Sequence, residues 1–157
     1  AMLRPDEFLS LVRRDVVLPD DNLEACADTF VHLRWPKTRR FARLQHGRIS
    51  DKSITEFLII ALRNMSPDRR LWQHSKTMYR RRWDAVLRAL GVGCGAGVGP
   101  TPGSVRGSAA TDFYLATEDI PRIAWRGRWR RIQTLEYYLQ EVAAQTVLAT
   151  LPQAARE

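Results

Sequence analysis

The chain has 157 residues, of which 45% are hydrophobic, so it can bury a core of its own and a single domain is the default expectation. Lysine and arginine number 25 against 17 acidic residues, which gives a formal charge of +8 and favours a polyanionic partner. The apolar runs are too short for a membrane span, and the isolated Cys26 and Cys94 support neither a disulfide framework nor a zinc site. A protein inside the cell, without a membrane anchor, is expected.

The first part of the chain predicts a short helix followed by a β-hairpin. Residues 5–12 carry apolar side chains behind an acidic first turn, which predicts a helix that starts at Pro5. Residues 29–34 alternate in hydrophobicity and are expected to pair with residues 42–49 across the turn WPKTRR. This hairpin places Lys37 near its tip.

The rest of the chain predicts helices interrupted by one glycine-rich loop. Helices are expected over residues 51–64 and 75–90, and the apolar residues of the second helix are expected in the core. Those residues are Met78, Tyr79, Trp83, Val86, Leu87 and Leu90. The loop covers residues 91–103.

Three further helices are expected over residues 104–116, 120–125 and 134–148, with Gly127 breaking the chain just before Trp129. The predicted fold class is therefore mixed α/β, mostly helical with a small antiparallel sheet or hairpin. Residues 1–150 are expected to form one domain and residues 151–157 a tail. Because the chain opens within a helical motif, we expect it to be the C-terminal part of a longer protein.

Four separate segments carry residue types that suit phosphodiester chemistry. Arg4 lies in LRPDE, Lys37 in the hairpin turn, Arg106 in TPGSVR, and Trp129 comes nine residues before Tyr138. Guanidinium groups can neutralise a phosphodiester, and a phenol can then attack the phosphorus and form a covalent intermediate. A lysine in such a turn can protonate the leaving oxygen, although phosphate binding alone explains it equally well.

These segments span nearly the whole chain and together resemble the catalytic domain of the tyrosine recombinase (phage-integrase-like) family, which breaks and rejoins DNA through a 3′-phosphotyrosyl intermediate. The resemblance implies that Arg4 and Arg106 clamp the phosphate, Lys37 is the acid, and Trp129 supports the site. Tyr138 would be the nucleophile, and Glu7 would have a structural role near Arg4.

The resemblance also implies site-specific recombination or integration of a mobile element, without a metal or cofactor. The partner would be double-stranded DNA, bound by a homo-oligomer, in the nucleus of a eukaryote or the cytoplasm of a bacterium. Arginines that would hold the flanking DNA backbone are Arg39, Arg40, Arg128, Arg130 and Arg131. Solvated basic faces are the simpler interpretation of these charge runs.

Several alternatives stay open at the level of sequence. Gly103 stands where the family has a histidine, which favours a degenerate, non-catalytic DNA-binding module. Arg128 and Tyr137 have the same spacing as Trp129 and Tyr138, so Tyr137 is a second candidate nucleophile. The spacing of apolar residues around Tyr138 also fits a core tyrosine beside a solvent-facing Tyr137. An RNA-binding domain is a weaker possibility, because the chain shows no recognition signature of aromatic residues on strands.

Overall fold

The computed structural model describes residues 2–21, 26–36, 45–94 and 99–139. The chain divides into two compact units, Leu3–Gln73 and His74–Glu157, with Met2 belonging to the second. We call these the N-terminal unit and the C-terminal unit. The expectation of one domain over residues 1–150 stays a prediction.

The N-terminal unit combines two helices with a small antiparallel sheet. Its elements are α1 (Pro5–Leu9), β1 (Val16–Val17), β2 (Thr29–Leu33), β3 (Gln45–Ile49) and α2 (Lys52–Leu62). The strand order is β1-β2-β3, and Val31 pairs with Val16 on one side and with Gly47 on the other. The expected pairing of β2 with β3 is confirmed, while the turn that joins them lies outside the described residues.

Alternation along β2 decides which side of the sheet packs inward. Val31 and Leu33 are buried, whereas the intervening His32 is only half-buried. Val31 and Leu33 form a cluster with Leu11, and a second cluster joins Val16, Leu18 and Leu62 of α2. No sequence pattern predicts β1, because a strand of two residues is too short to show alternation.

The first helix is shorter than expected, since α1 ends at Leu9 rather than at Val12. Leu11 is instead buried against the sheet, and Val12 forms an isolated antiparallel bridge with Arg70. The Asp15 carboxylate accepts a 3.0 Å hydrogen bond from the Val12 amide. This hydrogen bond caps a 3-10 turn over Arg13–Asp15, so the chain does not continue α1 to Val12.

The C-terminal unit is helical in its described part. Its elements are α3 (Lys76–Ala89), α4 (Ser104–Thr117), α5 (Ile120–Gly127) and α6 (Ile132–Glu136). Ala110 of α4, Ile123 of α5 and Leu135 of α6 are fully buried in one cluster with Met2. These three helices therefore share one core. The predicted mixed α/β class with a small antiparallel sheet is confirmed.

Two expectations about the C-terminal unit are wrong. Leu87 is buried in α3, but Met78, Val86 and Leu90 are exposed rather than packed in a core. The last helix begins earlier than predicted, and α6 ends at Glu136, so Tyr138 follows the helix instead of lying on it. The remainder of the predicted helix, from residue 140 onward, lies outside the described residues. Within the described ranges, no helix is long and apolar enough to cross a membrane.

Candidate functional site

Arg106 lies on the inner face of α4 as a buried charge with a relative exposure of 3%. Its Nη1 donates to the main-chain carbonyl of Met2, and its Nη2 donates to the carbonyl of Gly127. The guanidinium carbon also lies 4.2 Å from the centroid of the Trp129 ring. Carbonyl dipoles and the face of the indole ring together compensate the loss of hydration of this cation.

Trp129 is positioned by the C-terminal turn of α5. The Trp129 amide donates to the Ala124 carbonyl (2.9 Å), and the Arg128 amide donates to the Trp125 carbonyl (3.1 Å). This pair of bonds is a Schellman motif, in which one residue adopts a left-handed conformation. That residue is Arg128, with φ of 59°, although glycine is usual at this position.

Gly127 is the last residue of α5, so the chain leaves the helix there, as expected. Its lack of a side chain matters for a different reason. A Cβ atom at Gly127 would lie 1.6 Å from Cζ3 of Trp129, so the indole ring occupies the space of the missing side chain. The glycine lets the Trp129 ring fold back onto the end of α5.

Tyr138 is half-buried and follows α6 in the chain. Its ring centroid lies 5.5 Å from that of Trp129, and its carbonyl accepts a 3.3 Å hydrogen bond from Thr111 Oγ1 of α4. Gly107, also on α4, faces the ring, and a Cβ there would make an ordinary 3.4 Å contact with Tyr138 Cδ1. Among the described residues, no hydrogen bond engages the Tyr138 hydroxyl.

The C-terminal unit thus brings three of the predicted site residues into contact. We call Arg106, Trp129 and Tyr138 the Arg-Trp-Tyr cluster. Tyr137, the alternative nucleophile, packs edge-on against Tyr138 but is 76% exposed. The expectation that Tyr137 faces solvent is confirmed.

The other predicted site residues lie elsewhere or outside the described ranges. Arg4 belongs to the N-terminal unit, where its amide and its guanidinium each donate a 2.8 Å hydrogen bond to the Glu7 carboxylate. Glu7 therefore has the structural contact with Arg4 that was expected. The catalytic candidate Lys37 and the DNA-binding candidates Arg39 and Arg40 lie outside the described residues.

Gly103 is the N-cap of α4 and is exposed. A Cβ atom at this position would meet Thr101 Oγ1 at 3.5 Å, an ordinary contact, and the backbone φ of −68° suits any residue. Neither space nor backbone conformation therefore requires glycine here. The side chain expected from the family pattern would fit at this position.

Basic side chains continue on both sides of the Arg-Trp-Tyr cluster. Arg130 and Arg131 are exposed, and Arg128 is half-buried. The sequence interpretation missed Trp125, which is 85% exposed on α5. The sequence contained a signal for it, because Trp125 lies three residues after Arg122, on the same face of a helix.

Two of the three histidines lie side by side on neighbouring strands. His32 and His46 stack across β2 and β3 with centroids 5.2 Å apart. In the described part of the chain, no group of three or more histidine, cysteine or acidic residues is arranged to hold a metal ion. The Arg-Trp-Tyr cluster is therefore the strongest candidate site.

Comparison with known proteins adds no family assignment. No protein-family model matches the chain, and no curated protein matches its sequence.

Proposed function

We propose that this protein cleaves and rejoins DNA strands through a phosphotyrosyl intermediate on Tyr138, as part of site-specific recombination or integration. The observation that carries the proposal is the Arg-Trp-Tyr cluster. Residues 106, 129 and 138 are distant in sequence, yet the rings of Trp129 and Tyr138 lie 5.5 Å apart and the Arg106 guanidinium stacks on the same indole. A cation and a phenol thus contact the same indole ring, and attack of a phenol on a phosphodiester requires positive charge at the phosphate.

In the proposed reaction, the Tyr138 oxygen attacks phosphorus and the bond from phosphorus to the 5′ oxygen breaks. The phenol releases its proton to solvent, and the leaving 5′ oxygen takes up a proton that the Lys37 ammonium supplies and later regains from solvent. The products are a 3′-phosphotyrosine and a free 5′ hydroxyl. Because the phosphotyrosyl bond keeps the energy of the broken bond, a 5′ hydroxyl can reverse the step without ATP.

Positive charge has two separate tasks in this proposal. Arg4 and Arg106 neutralise the phosphate that reacts, while Trp129 covers the Arg106 guanidinium and donates its indole N–H to a phosphate oxygen. The flanking backbone of double-stranded DNA is held by the basic runs. Those residues are Arg39, Arg40, Arg128, Arg130 and Arg131.

A non-catalytic DNA-binding module is the second candidate, and two observations favour it. The Arg106 guanidinium is buried and directs two N–H groups at main-chain carbonyls instead of solvent. Gly103 supplies no side chain for proton transfer at the start of α4. Such a module would keep the basic surface and bind DNA without cleaving it.

The two candidates differ in whether the protein becomes covalently attached to DNA. We would incubate the protein with a pool of nicked duplexes of random sequence, because a nick lets the freed fragment diffuse away and traps the adduct. We expect wild-type protein and the Tyr137→Phe variant to form an adduct that survives denaturation. The Tyr138→Phe variant should form none, since it lacks the nucleophilic oxygen.

Each remaining outcome has a defined meaning. Duplex binding by the wild-type protein without any adduct would favour the non-catalytic module and overturn the enzymatic proposal. An adduct that persists in Tyr138→Phe but is lost in Tyr137→Phe would move the nucleophile to Tyr137. Tyr138→Phe is a conservative change at a hydroxyl that makes no hydrogen bond among the described residues, so unfolding would not explain a loss.

A further inference from the structure

The outer face of α5 carries an exposed tryptophan between two arginines. Trp125 is 85% exposed, the largest value among the large apolar side chains in the described ranges. Arg122, three residues before Trp125, lies on the same face, whereas Arg126, the residue after Trp125, lies about 100° further round the helix and pairs in spacing with Arg122. The inner face of the same helix is buried through Ile123 and Gly127, so the helix is fixed while Trp125 points outward.

The two arginines are held together by one aromatic ring. The guanidinium carbons of Arg122 and Arg126 lie 5.7 and 5.1 Å from the centroid of Phe113, which belongs to α4. Like charges at this helical spacing repel one another. An anion bound at both guanidiniums would offset the repulsion, and both groups contact the same ring.

Acidic residues also lie near these arginines in the chain, and Asp112, beside Phe113, is exposed. The Asp119 carboxylate accepts from the Arg122 amide and so caps the start of α5. Glu118 is exposed at the end of α4. Within the described residues Arg122 makes no ion pair, and the exposed Arg130 and Arg131 extend the positive surface beyond the helix.

We infer that Arg122, Trp125 and Arg126 form a binding site for an unpaired nucleotide of single-stranded DNA. The base would stack on the indole face, and the adjacent phosphates would lie against the two guanidiniums. Stacking on an exposed aromatic ring beside basic side chains is the general way in which proteins bind single strands. The choice of DNA over RNA rests on the proposed function, whereas the stacking site does not.

The test compares oligonucleotides that share their phosphates but differ in their bases. We would measure the fluorescence anisotropy of a labelled oligothymidylate and of an abasic oligomer of the same length. The Tyr138→Phe protein is used, so that no cleavage takes place. We expect this protein to prefer the oligothymidylate, and Trp125→Ala added to it should weaken that binding by about tenfold and remove the preference.

Matched variants separate stacking from charge and from general damage. Trp125→Phe should keep most of the preference, because it retains an aromatic face. Phe57→Ala removes a 67% exposed aromatic residue on α2 that has no flanking arginine on its face, and it should change nothing. Arg122→Gln and Arg126→Gln should weaken both oligomers equally and reduce the salt slope by about 0.7 each.

Several results would overturn the inference. These are equal binding of the two oligomers, an unchanged affinity in Trp125→Ala, and an equal loss in Phe57→Ala. A clear preference for oligouridylate over oligothymidylate would overturn the choice of DNA. Sedimentation that shows Trp125→Ala dissociating a dimer, with oligonucleotide binding intact, would assign the surface to self-association instead.

This assay is independent of strand cleavage. Failure of the Tyr138 adduct experiment would leave a base-dependent effect of Trp125 intact and would sink only the proposed enzymatic function. Conversely, a Tyr138-dependent adduct together with an unchanged oligonucleotide affinity in Trp125→Ala would contradict only the single-strand site.

Discussion

Arg106 shows how one side chain can serve both structure and a proposed reaction. It joins the carbonyls of Met2 and Gly127, residues far apart in the sequence, and stacks on Trp129. A lysine would keep the charge but would lose the planar, forked set of donors that reaches two carbonyls at once. The position therefore requires arginine on structural grounds alone, whether or not it also contacts phosphate.

Gly103 is the residue at which the family resemblance is weakest, and the structure makes it testable. Because a Cβ at this position meets only an ordinary 3.5 Å contact, Gly103→His should fold like the wild-type protein. If a missing proton donor limits the reaction, the histidine should raise the rate of adduct formation by about tenfold or more, since general acid–base groups contribute about 10²–10⁴. Single-turnover kinetics on a nicked duplex provide the measurement.

Gly103→Ala is the control for this change, because it adds a side chain without a titratable group. We expect its rate to match the wild-type rate. Equal rates for the histidine and alanine variants would contradict a role for position 103 in proton transfer.

At the scale of elements, the packing of Trp129 against α5 depends on Gly127, the last residue of that helix. Gly127→Ala should displace the indole ring, since the added Cβ would lie 1.6 Å from Trp129 Cζ3. We expect the free energy of unfolding to fall by about 2 kcal/mol, a typical cost of overpacking. Urea denaturation measures this loss, and near-ultraviolet circular dichroism reports the displaced tryptophan.

Gly107→Ala is the matched control on α4. Its Cβ would lie 3.4 Å from Tyr138 Cδ1, at the edge of ordinary van der Waals contact, and alanine favours the helix by about 0.5–1 kcal/mol. The unfolding free energy should therefore stay the same or rise. A fall in Gly107→Ala as large as that in Gly127→Ala would show that the close approach of Trp129 is not the reason for glycine at position 127.

Elements with strong local signals were predictable, and those that depend on distant contacts were not. For α2 and α3 the periodic pattern and the capping residues Asp51 and Ser75 lie within the segment itself, so the predicted and observed bounds nearly coincide. In contrast, α1 stops early because Leu11 finds its partners on the sheet. In α3, Leu87 is buried but Met78, Val86 and Leu90 are exposed, so helical spacing of apolar residues does not ensure that all of them are buried.

For the molecule as a whole, the net charge of +8 is the property most relevant to a nucleic-acid partner. The logarithm of the association constant for duplex DNA should fall linearly with the logarithm of the salt concentration, because each phosphate contact releases a counterion. If Arg130 and Arg131 each contact one phosphate, changing both to glutamine should reduce the slope by about 2. Fluorescence anisotropy with a labelled duplex at several salt concentrations measures it.

Arg63→Gln is the control for the salt experiment, since Arg63 is an exposed arginine at the end of α2 and lies outside the predicted DNA-binding runs. Its slope should equal that of the wild-type protein. If Arg63→Gln reduces the salt slope as much as Arg130→Gln or Arg131→Gln does, the slope depends on the total charge of the protein and not on a defined contact surface.

By itself, the sequence determined the mixed α/β class, most of the helices, the pairing of β2 with β3 and the residue types of the candidate site, because periodicity, caps and motif spacing are local properties. Only the tertiary structure decided which of these residues meet and which face solvent. The contact of Arg106 with Trp129, the packing of Trp129 against Tyr138 and the exposure of Trp125 all depend on how α4, α5 and α6 share one core. Burial results from contacts between residues distant in sequence, so no local pattern specifies it.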